Sequence, residues 1–455
     1  MSLLIYSQNN AFLLCSWYLI SAKARFGNQL DHLSQLSGDN IFASEPIQLV
    51  ILSTMIEISY YELGKLYMEI TKTISIKILT TAIVFSALFT GCSDDNKNSS
   101  SMNSLSPSNI IDPALAFAVD NKINAIMEKT GATAVTVAIA KHGIMKYEKA
   151  YGFKDAAKTS PLKTDALMRT ASIVKPITAA AIRKLANDGA LSLSDHAFCT
   201  GSNTPCWLPS TLLSPTTDPR VKDITIQQLI VHQGGRARTS DPSGREAQCK
   251  AVSAPCPPSR IDIVKYMMTL PLDYTPGSPG YFDGYSNFGY LVLGMIIEQA
   301  SQTSYIQYVQ NSLMKPLGIS SDDFKAGESL PADHDKREPV YISKQMAPSV
   351  FNIGKDAPFA EEGFVAKNWL AVGSSISTAR AMTLFASAYK LPHGEVLDKN
   401  ATNDGNHFGG MDGSATIVRQ LASGVSYSIF LNIAISGDEY RSLQRQLDEA
   451  SKVIF

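Results

Sequence analysis

The 455-residue sequence has almost no charge imbalance: 40 Lys and Arg stand against 41 Asp and Glu, a formal net charge of −1. No basic run stands out, so the electrostatic footprint of a nucleic-acid binder is missing and no nucleic-acid partner is expected. Glycine and proline, at 29 and 22 residues, are too sparse for a fibrous or disordered chain. There is no internal repeat. The apolar run Ile78–Phe89 covers about a dozen residues, short of the ~20 that cross a bilayer as a helix. What remains is an ordinary globular composition, 45% hydrophobic and 18% charged, long enough for two or three compact units.

Cysteine is also scarce, with six in all. Beyond Cys92 there are four: Cys199, Cys206, Cys249 and Cys256. An even number, in two evenly spaced pairs, fits an oxidising compartment. Disulfides Cys199–Cys206 and Cys249–Cys256 are expected, although four cysteines allow three connectivities. A zinc site is the weaker reading, because the pairs are not C-x₂-C and no histidine stands at ligand spacing. No metal or cofactor is called for.

The stretch MEITKTISIKILTTAIVFSALFTGC, residues 68–92, puts Lys72 and Lys77 before the apolar run and small residues before a cysteine. That is the layout of an export signal. It resembles a bacterial lipoprotein signal, in which Cys92 becomes the lipidated first residue. The implied location is the cell envelope, as a periplasmic or surface lipoprotein held to the membrane through that anchor. Residues 93–110 are polar and rich in Ser and Asn, and read as a flexible tether. Residues 1–67 show no sustained periodicity; the expectation is an upstream extension or a mis-assigned start, with translation beginning at Met68.

From about residue 111 to 455 the chain reads as one folded region. Leu115, Ala118, Ile123, Ile126 and Met127 have helical spacing. The β-branched stretch TAVTVAIAKHGIMKYEKAYG reads as a hairpin turning at Gly143. Helices follow, among them IQQLIVH, RIDIVKYMMTL and NFGYLVLGMIIEQAS, and another around residues 379–389. SATIVRQLASG and VSYSIFLNIAIS are a second strand pair, and DEYRSLQRQLDEASKVIF is an amphipathic close. The economical fold is α+β: an antiparallel sheet from N- and C-terminal segments, flanked by helices. Its α/β part spans about 111–190 and 365–455, with a mainly helical lobe inserted at about 190–365. A site is expected at their junction.

Three motifs carry chemistry. In RTASIVKPITAAAIRKLANDG, residues 169–189, Pro176 belongs in a first helical turn, so the helix cannot begin much before Ser172. Ser172 reads as its N-cap, with Lys175 three residues on and on the same face. A hydroxyl beside an amine at the positive end of a helix dipole is how a nucleophile is set up. In the Gly/Pro-rich loop before NFGYLVLG, Tyr285 and Asn287 can converge on one bound group. Tyr285 could exchange protons beside an ammonium, and Asn287 could donate to a substrate carbonyl. In NHFGGMDGSATIV, residues 406–418, His407 and glycines lead into a strand and leave amides free for an oxyanion. Taken singly, each has a plain reading: a helix cap, a cap again, and a Gly-rich turn. His232, at the end of the helix in ITIQQLIVHQGG, reads as structural, since a helix C-terminus favours histidine.

Taken in order, S-x-x-K, Y-S-N and H-x-G resemble the serine β-lactamase and penicillin-binding-protein superfamily, nearest its class C-related serine hydrolases, which include family VIII esterases and D-amino-acid peptidases. The resemblance covers most of residues 110–455, including the phrases ITIQQLIVHQGG and MKPLGI. It implies a β-lactamase/transpeptidase-like fold and a serine hydrolase that forms an acyl-enzyme on an ester or amide: a short-chain ester, a D-amino-acid peptide or a β-lactam. Ser172 would be the nucleophile, Lys175 its activator and Tyr285 the proton shuttle, with the base either Lys175 or Tyr285. Asn287 would orient substrate, and the backbone N–H groups of Ser172 and Gly410 would form the oxyanion hole. The third motif departs from the family's Lys-Thr-Gly. His407 and Gly409 take the substrate-binding places, a histidine is cationic only part of the time near neutral pH, and Phe408 has no hydroxyl. Esterase or peptidase activity is therefore expected ahead of β-lactamase activity. The alternative is a penicillin- or peptidoglycan-binding envelope lipoprotein that acylates slowly without turnover.

Overall fold

The computed structural model describes residues 113–242, 249, 255–278, 284–397 and 404–454. These belong to a compact unit spanning Ser104–Phe455. The upstream extension at 1–67, the lipoprotein-type signal with Cys92, and the tether at 93–110 lie outside the described residues.

A five-stranded antiparallel sheet organises the unit. Its strands are β1 (Ala134–Lys141), β2 (Ile144–Gly152), β3 (Gly405–Met411), β4 (Ser414–Gln420) and β5 (Val425–Leu431), in the spatial order β3-β4-β5-β1-β2. The N-terminal hairpin therefore pairs with the last strand, Val135 opposite Leu431 and Ala138 opposite Ser428. The β1–β2 connection has two residues, His142 and Gly143, both at positive φ (49° and 75°). Positive φ at both positions is what the right-handed strand twist demands of a two-residue hairpin.

Period-2 alternation sends the two faces of the sheet to two cores. Val135, Val137 and Ile139 face one cluster with Ile417, Tyr427 and Ile429. Helix α1 (Pro113–Thr130) covers that face through Leu115, Val119, Ile123 and Ile126, and the terminal helix α7 (Gly437–Ser451) covers it through Leu443 and Leu447. Each such side chain, fully buried, contributes roughly 1.5–3 kcal/mol. Ala138 and Ala140 face the other way, towards helix α6 (Ala379–Ala386) and the larger core. Their small size lets α6 approach closely enough for Thr383 Oγ1 to donate to the Ala138 carbonyl (3.1 Å).

The larger core is built around α2 (Lys175–Asn187), in which Lys175 through Ile182 and Leu185 are all buried. A helix buried nearly all round is interior, and its alanines suit crowded neighbours. Between α2 and residue 375 run α3 (Ile226–Ile230), α4 (Arg260–Met268) and α5 (Asn287–Ser301), joined by loops and short ladders such as His196–Phe198 with Cys206–Leu208. The lobe read as mainly helical thus also carries small β-ladders. Both expected disulfides are present: Cys199–Cys206 with Cα atoms 5.1 Å apart, and Cys249–Cys256 with Cα atoms 5.4 Å apart.

Candidate active site

Ser172 does not cap α2. That helix begins at Lys175; its N-cap residue is Val174, which makes no side-chain cap bond. Ser172 instead sits in a single 3₁₀ turn, Ala171–Val174, between the short strand Met168–Arg169 and α2. Ala171 there has φ +45°, a left-handed conformation that costs an L-residue about 1–2 kcal/mol. The surroundings hold that turn. Thr170 Oγ1 donates to the Ser375 carbonyl (2.8 Å). Thr416 Oγ1 on β4 donates to the Thr170 carbonyl (2.7 Å), and Ser414 Oγ to the Arg169 carbonyl (2.9 Å). The Arg169 guanidinium is buried among the carbonyls of Glu328 and Ala360 and lies 4.3 Å from the Tyr341 ring centroid. Local strain that the surroundings over-determine is a mark of functional sites.

The Ser172 hydroxyl oxygen is the meeting point of two donors. Lys175 Nζ donates to it at 3.0 Å and the Tyr285 hydroxyl at 2.7 Å. Lys175 is 0% exposed, and its amine also donates to the Val372 carbonyl at 2.8 Å. It lies 5.0 Å from the Tyr285 ring centroid and 5.7 Å from that of Tyr290. Lys175 reaches Ser172 because three residues make about one helical turn; Tyr285 comes from 113 residues downstream.

Tyr285 stands on a loop fixed at each of its neighbours. The Gly284 carbonyl accepts from Tyr274 (3.3 Å), the Ser286 N–H donates to His232 Nδ1 (3.1 Å), and the Asn287 N–H to Asp241 Oδ2 (2.8 Å). Ser286 Oγ caps α5 by accepting from the Gly289 N–H (3.1 Å), so the plain reading of this motif as a cap holds for Ser286. Asn287 is the first residue of α5, half-buried beside Tyr285. The His232 ring stacks on Tyr285 at 4.5 Å, and Arg238 lies 5.3 Å from the same ring centroid. Burial, with Lys175 close by, pushes the His232 imidazole down to about 3, so it is neutral. His232, read from the sequence as structural at a helix end, is a neutral ring against the site. Its position after a helix and before two glycines carried no sign of these partners, and Asp241 and Arg238 had no signal at all.

Of the three glycines in the third motif, Gly409 and Gly410 lie within β3, the edge strand of the sheet, and Gly413, at φ +76°, makes the turn into β4. His407 and Gly409 point to the Ser172 side, while Phe408 packs on Tyr440 of α7 (5.3 Å). Gly409 passes so close to the nucleophile turn that a Cβ there would meet Ser172 N and Thr170 O at 2.8 Å each. Its carbonyl accepts from the Tyr440 hydroxyl (2.5 Å). Gly410 follows, exposed at the edge. His407 Nε2 is buried without a hydrogen-bond partner among the described residues. Burial and Lys175 push this imidazole to about 3, which corrects the expectation of part-time positive charge near neutral pH. The structure thus gathers Ser172, Lys175, Tyr285, Asn287, His407 and Gly409 around one junction.

The family profile described as Beta-lactamase matches residues 119–434, more than half of the chain. The protein belongs to the beta-lactamase family. Among curated relatives, penicillin-binding protein 4* of Bacillus subtilis is 30% identical over 190 residues, covering 41% of this chain and 36% of the relative. Protein flp of Staphylococcus aureus is 28% identical over 208 residues, covering 46% of this chain and 38% of the relative. The matches therefore span under half the length of those relatives. Among solved structures, a D-alanine carboxypeptidase AmpC from Burkholderia cenocepacia superposes with a TM-score of 0.54 at 16% identity, over 74% of this chain and 99% of the other. A D-amino acid amidase from Ochrobactrum anthropi SV3 gives 0.53 at 19% identity, over 75% and 100%. These likenesses establish the beta-lactamase-like fold: an antiparallel sheet of N- and C-terminal strands flanked by helices.

Proposed function

We propose that this protein is a serine hydrolase that cleaves esters or amides through an acyl-enzyme on Ser172. The observation that carries the reading is the convergence of Lys175 Nζ and the Tyr285 hydroxyl on one serine oxygen. In acylation, Ser172 Oγ attacks the substrate carbonyl carbon. Its proton passes to Tyr285 or Lys175, whichever holds a free lone pair. The carbonyl oxygen becomes an anion, held by the Ser172 and Gly410 N–H groups. Such a donor is typically worth ~10²–10³ in rate. Collapse breaks the ester or amide bond, and Tyr285 returns the proton to the departing oxygen or nitrogen. Water then attacks the acyl carbon, losing its proton to the same pair, and Ser172 is regenerated. Asn287 orients the acyl side chain, with His407 and Gly409 along the other flank.

The neutral His407 and the turned-away Phe408 supply neither a fixed cation nor a hydroxyl where the family's Lys-Thr-Gly would. That favours short-chain esters and D-amino-acid amides or peptides over β-lactams. The D-alanine carboxypeptidase and the D-amino acid amidase that share this fold support the same ranking by the activities in their names. Export and anchoring at Cys92 complete the proposal, and the two disulfides agree with it.

A second reading is a penicillin-binding protein that acylates and then stalls, and the relative of that name favours it. One experiment separates them. The full-length protein and Ser172→Ala are mixed with a nitrophenyl acetate or butyrate, and intact mass is followed over time. Turnover by the wild type and none by the variant supports the hydrolase. A lasting mass increase on Ser172 supports the binder. Reaction by neither protein with esters, D-alanyl peptides or penicillin overturns both.

A further inference from the structure

We propose that His232 is a positioning residue for Tyr285, clamping the phenol against Ser172 through a ring stack and one hydrogen bond. The inference rests on the serine-hydrolase reading and adds the part that keeps its proton shuttle in place. His232 meets the Tyr285 loop through one direct hydrogen bond and one shared neighbour, on either side of the tyrosine. Its Nδ1 accepts the Ser286 N–H at 3.1 Å. On the other side the Tyr274 hydroxyl, whose one proton lies nearest the Arg236 carbonyl (2.8 Å), sits 3.3 Å from both the His232 and the Gly284 carbonyls. Between these two contacts the imidazole lies on the phenol ring, 4.5 Å between centroids and 29° from parallel. Its other close ring is Tyr290, at 5.0 Å, whose hydroxyl is tied to the Ile230 carbonyl on α3. The stack therefore runs from the body of the helical lobe out to the shuttle.

The end of α3 fixes this placement. His232 has φ +59°, a left-handed conformation two residues past the end of α3. The Gln233 N–H returns to the Gln228 carbonyl (2.6 Å), so this left-handed residue closes α3 as a C-terminal cap and from there presents its ring to Tyr285. The chemistry also selects histidine. The site needs a flat face against the phenol and a ring-edge acceptor for an otherwise unpaired backbone N–H. Phenylalanine offers only the first and asparagine only the second. Because Nδ1 accepts, the imidazole proton lies on Nε2. The Ser172 oxygen takes its hydrogen bonds from Lys175 and Tyr285, so His232 acts through Tyr285.

The test is a double-mutant cycle. His232→Ala, His232→Phe and His232→Asn are made alone and on Tyr285→Phe, in the full-length protein, and assayed on a nitrophenyl ester with active sites counted by burst. His232→Ala is expected to lower kcat by ~10–100-fold, the size of effect a small misplacement of a reacting group produces, with KM within about twofold. The Phe and Asn variants should each recover part of that loss. On the Tyr285→Phe background the same changes should have little further effect, since nothing remains to position. An equal fold-loss on both backgrounds, or a rise in KM with kcat unchanged, would overturn the proposal. Nitrogen-15 NMR of the unmutated protein at neutral pH gives a reading independent of turnover. A bare Nδ1 with a protonated Nε2 is expected; the opposite tautomer or an imidazolium refutes the clamp. If the protein turns nothing over while this tautomer is seen, the hydrolase reading fails and the clamp stands.

Discussion

Gly409→Ala is the most searching single change. The added methyl would lie 2.8 Å from Ser172 N and 2.8 Å from Thr170 O, and closer still to Thr416 Oγ1. Two of those atoms are backbone, and the Thr416 hydroxyl is itself committed to the Thr170 carbonyl, so no flexible side-chain end can swing aside. Either β3 moves away from the nucleophile turn or the turn moves. Both displace the Ser172 N–H relative to the edge-strand amides. Overpacking of this kind costs about 1–3 kcal/mol of stability. Losing one oxyanion donor should lower the acylation rate by ~10²–10³. Gly410→Ala is the internal comparison. The nearest atoms to its methyl would be those of the Tyr440 side chain, the hydroxyl at 3.0 Å, in place of the backbone atoms of the nucleophile turn. The assay is the single-turnover acylation rate of both variants by quenched-flow mass measurement, with urea midpoints alongside. Gly409→Ala acylating within threefold of the unmutated protein would refute the reasoning. So would equal losses in the two variants.

Further outcomes are expected. His232 and His407 both titrate near 3, below the usual 6.5, so between those values the unfolded chain binds more protons than the native one. Stability should therefore be fully present above about pH 6.5 and fall as pH drops, by up to about 1.4 kcal/mol per pH unit for each ring. Urea midpoints against pH would show it, and His407→Gln should flatten the slope. Arg238 is an exposed guanidinium over Tyr285. Arg238→Ala should lower kcat/KM about 3–10-fold for esters carrying a carboxylate, less at high salt, and leave neutral esters nearly unchanged. Replacing Cys199 and Cys206 with serine opens a loop whose ends are seven residues apart, and should cost about 2–3 kcal/mol by the chain-entropy relation, read as a shift in the urea midpoint.

Where the signal was local, the sequence was readable. Lys175 reaches Ser172 through helical geometry alone, the β-branched runs of β1, β4 and β5 announce strands, and α7 shows its amphipathic stripe. The edge strand β3 was not readable as a strand. GNHFGGM has no β-branched residue, and it is extended because β4 supplies the pairing and because the nucleophile turn leaves no room for a side chain at Gly409. The 3₁₀ turn at Ser172 escaped for a similar reason: the hydroxyls that hold it come from residues 414 and 416. His232 pairs with Ser286 across 54 positions, so nothing within its own helix foretold its neighbours. The candidate site residues were named from local motifs and the resemblance they carry; the residues that hold them in place belong to tertiary structure.

The pairing of β1 with β5 has a consequence for timing. Val135 waits for Leu431, and the peptide beside the nucleophile is pinned by a hydroxyl from residue 440. Residue 431 must therefore be made before the sheet can close. Until then the apolar edge made in the first third has no mate, and any nascent fragment ending before residue 425 would carry Ser172 but no finished site. Such contacts between distant segments slow folding.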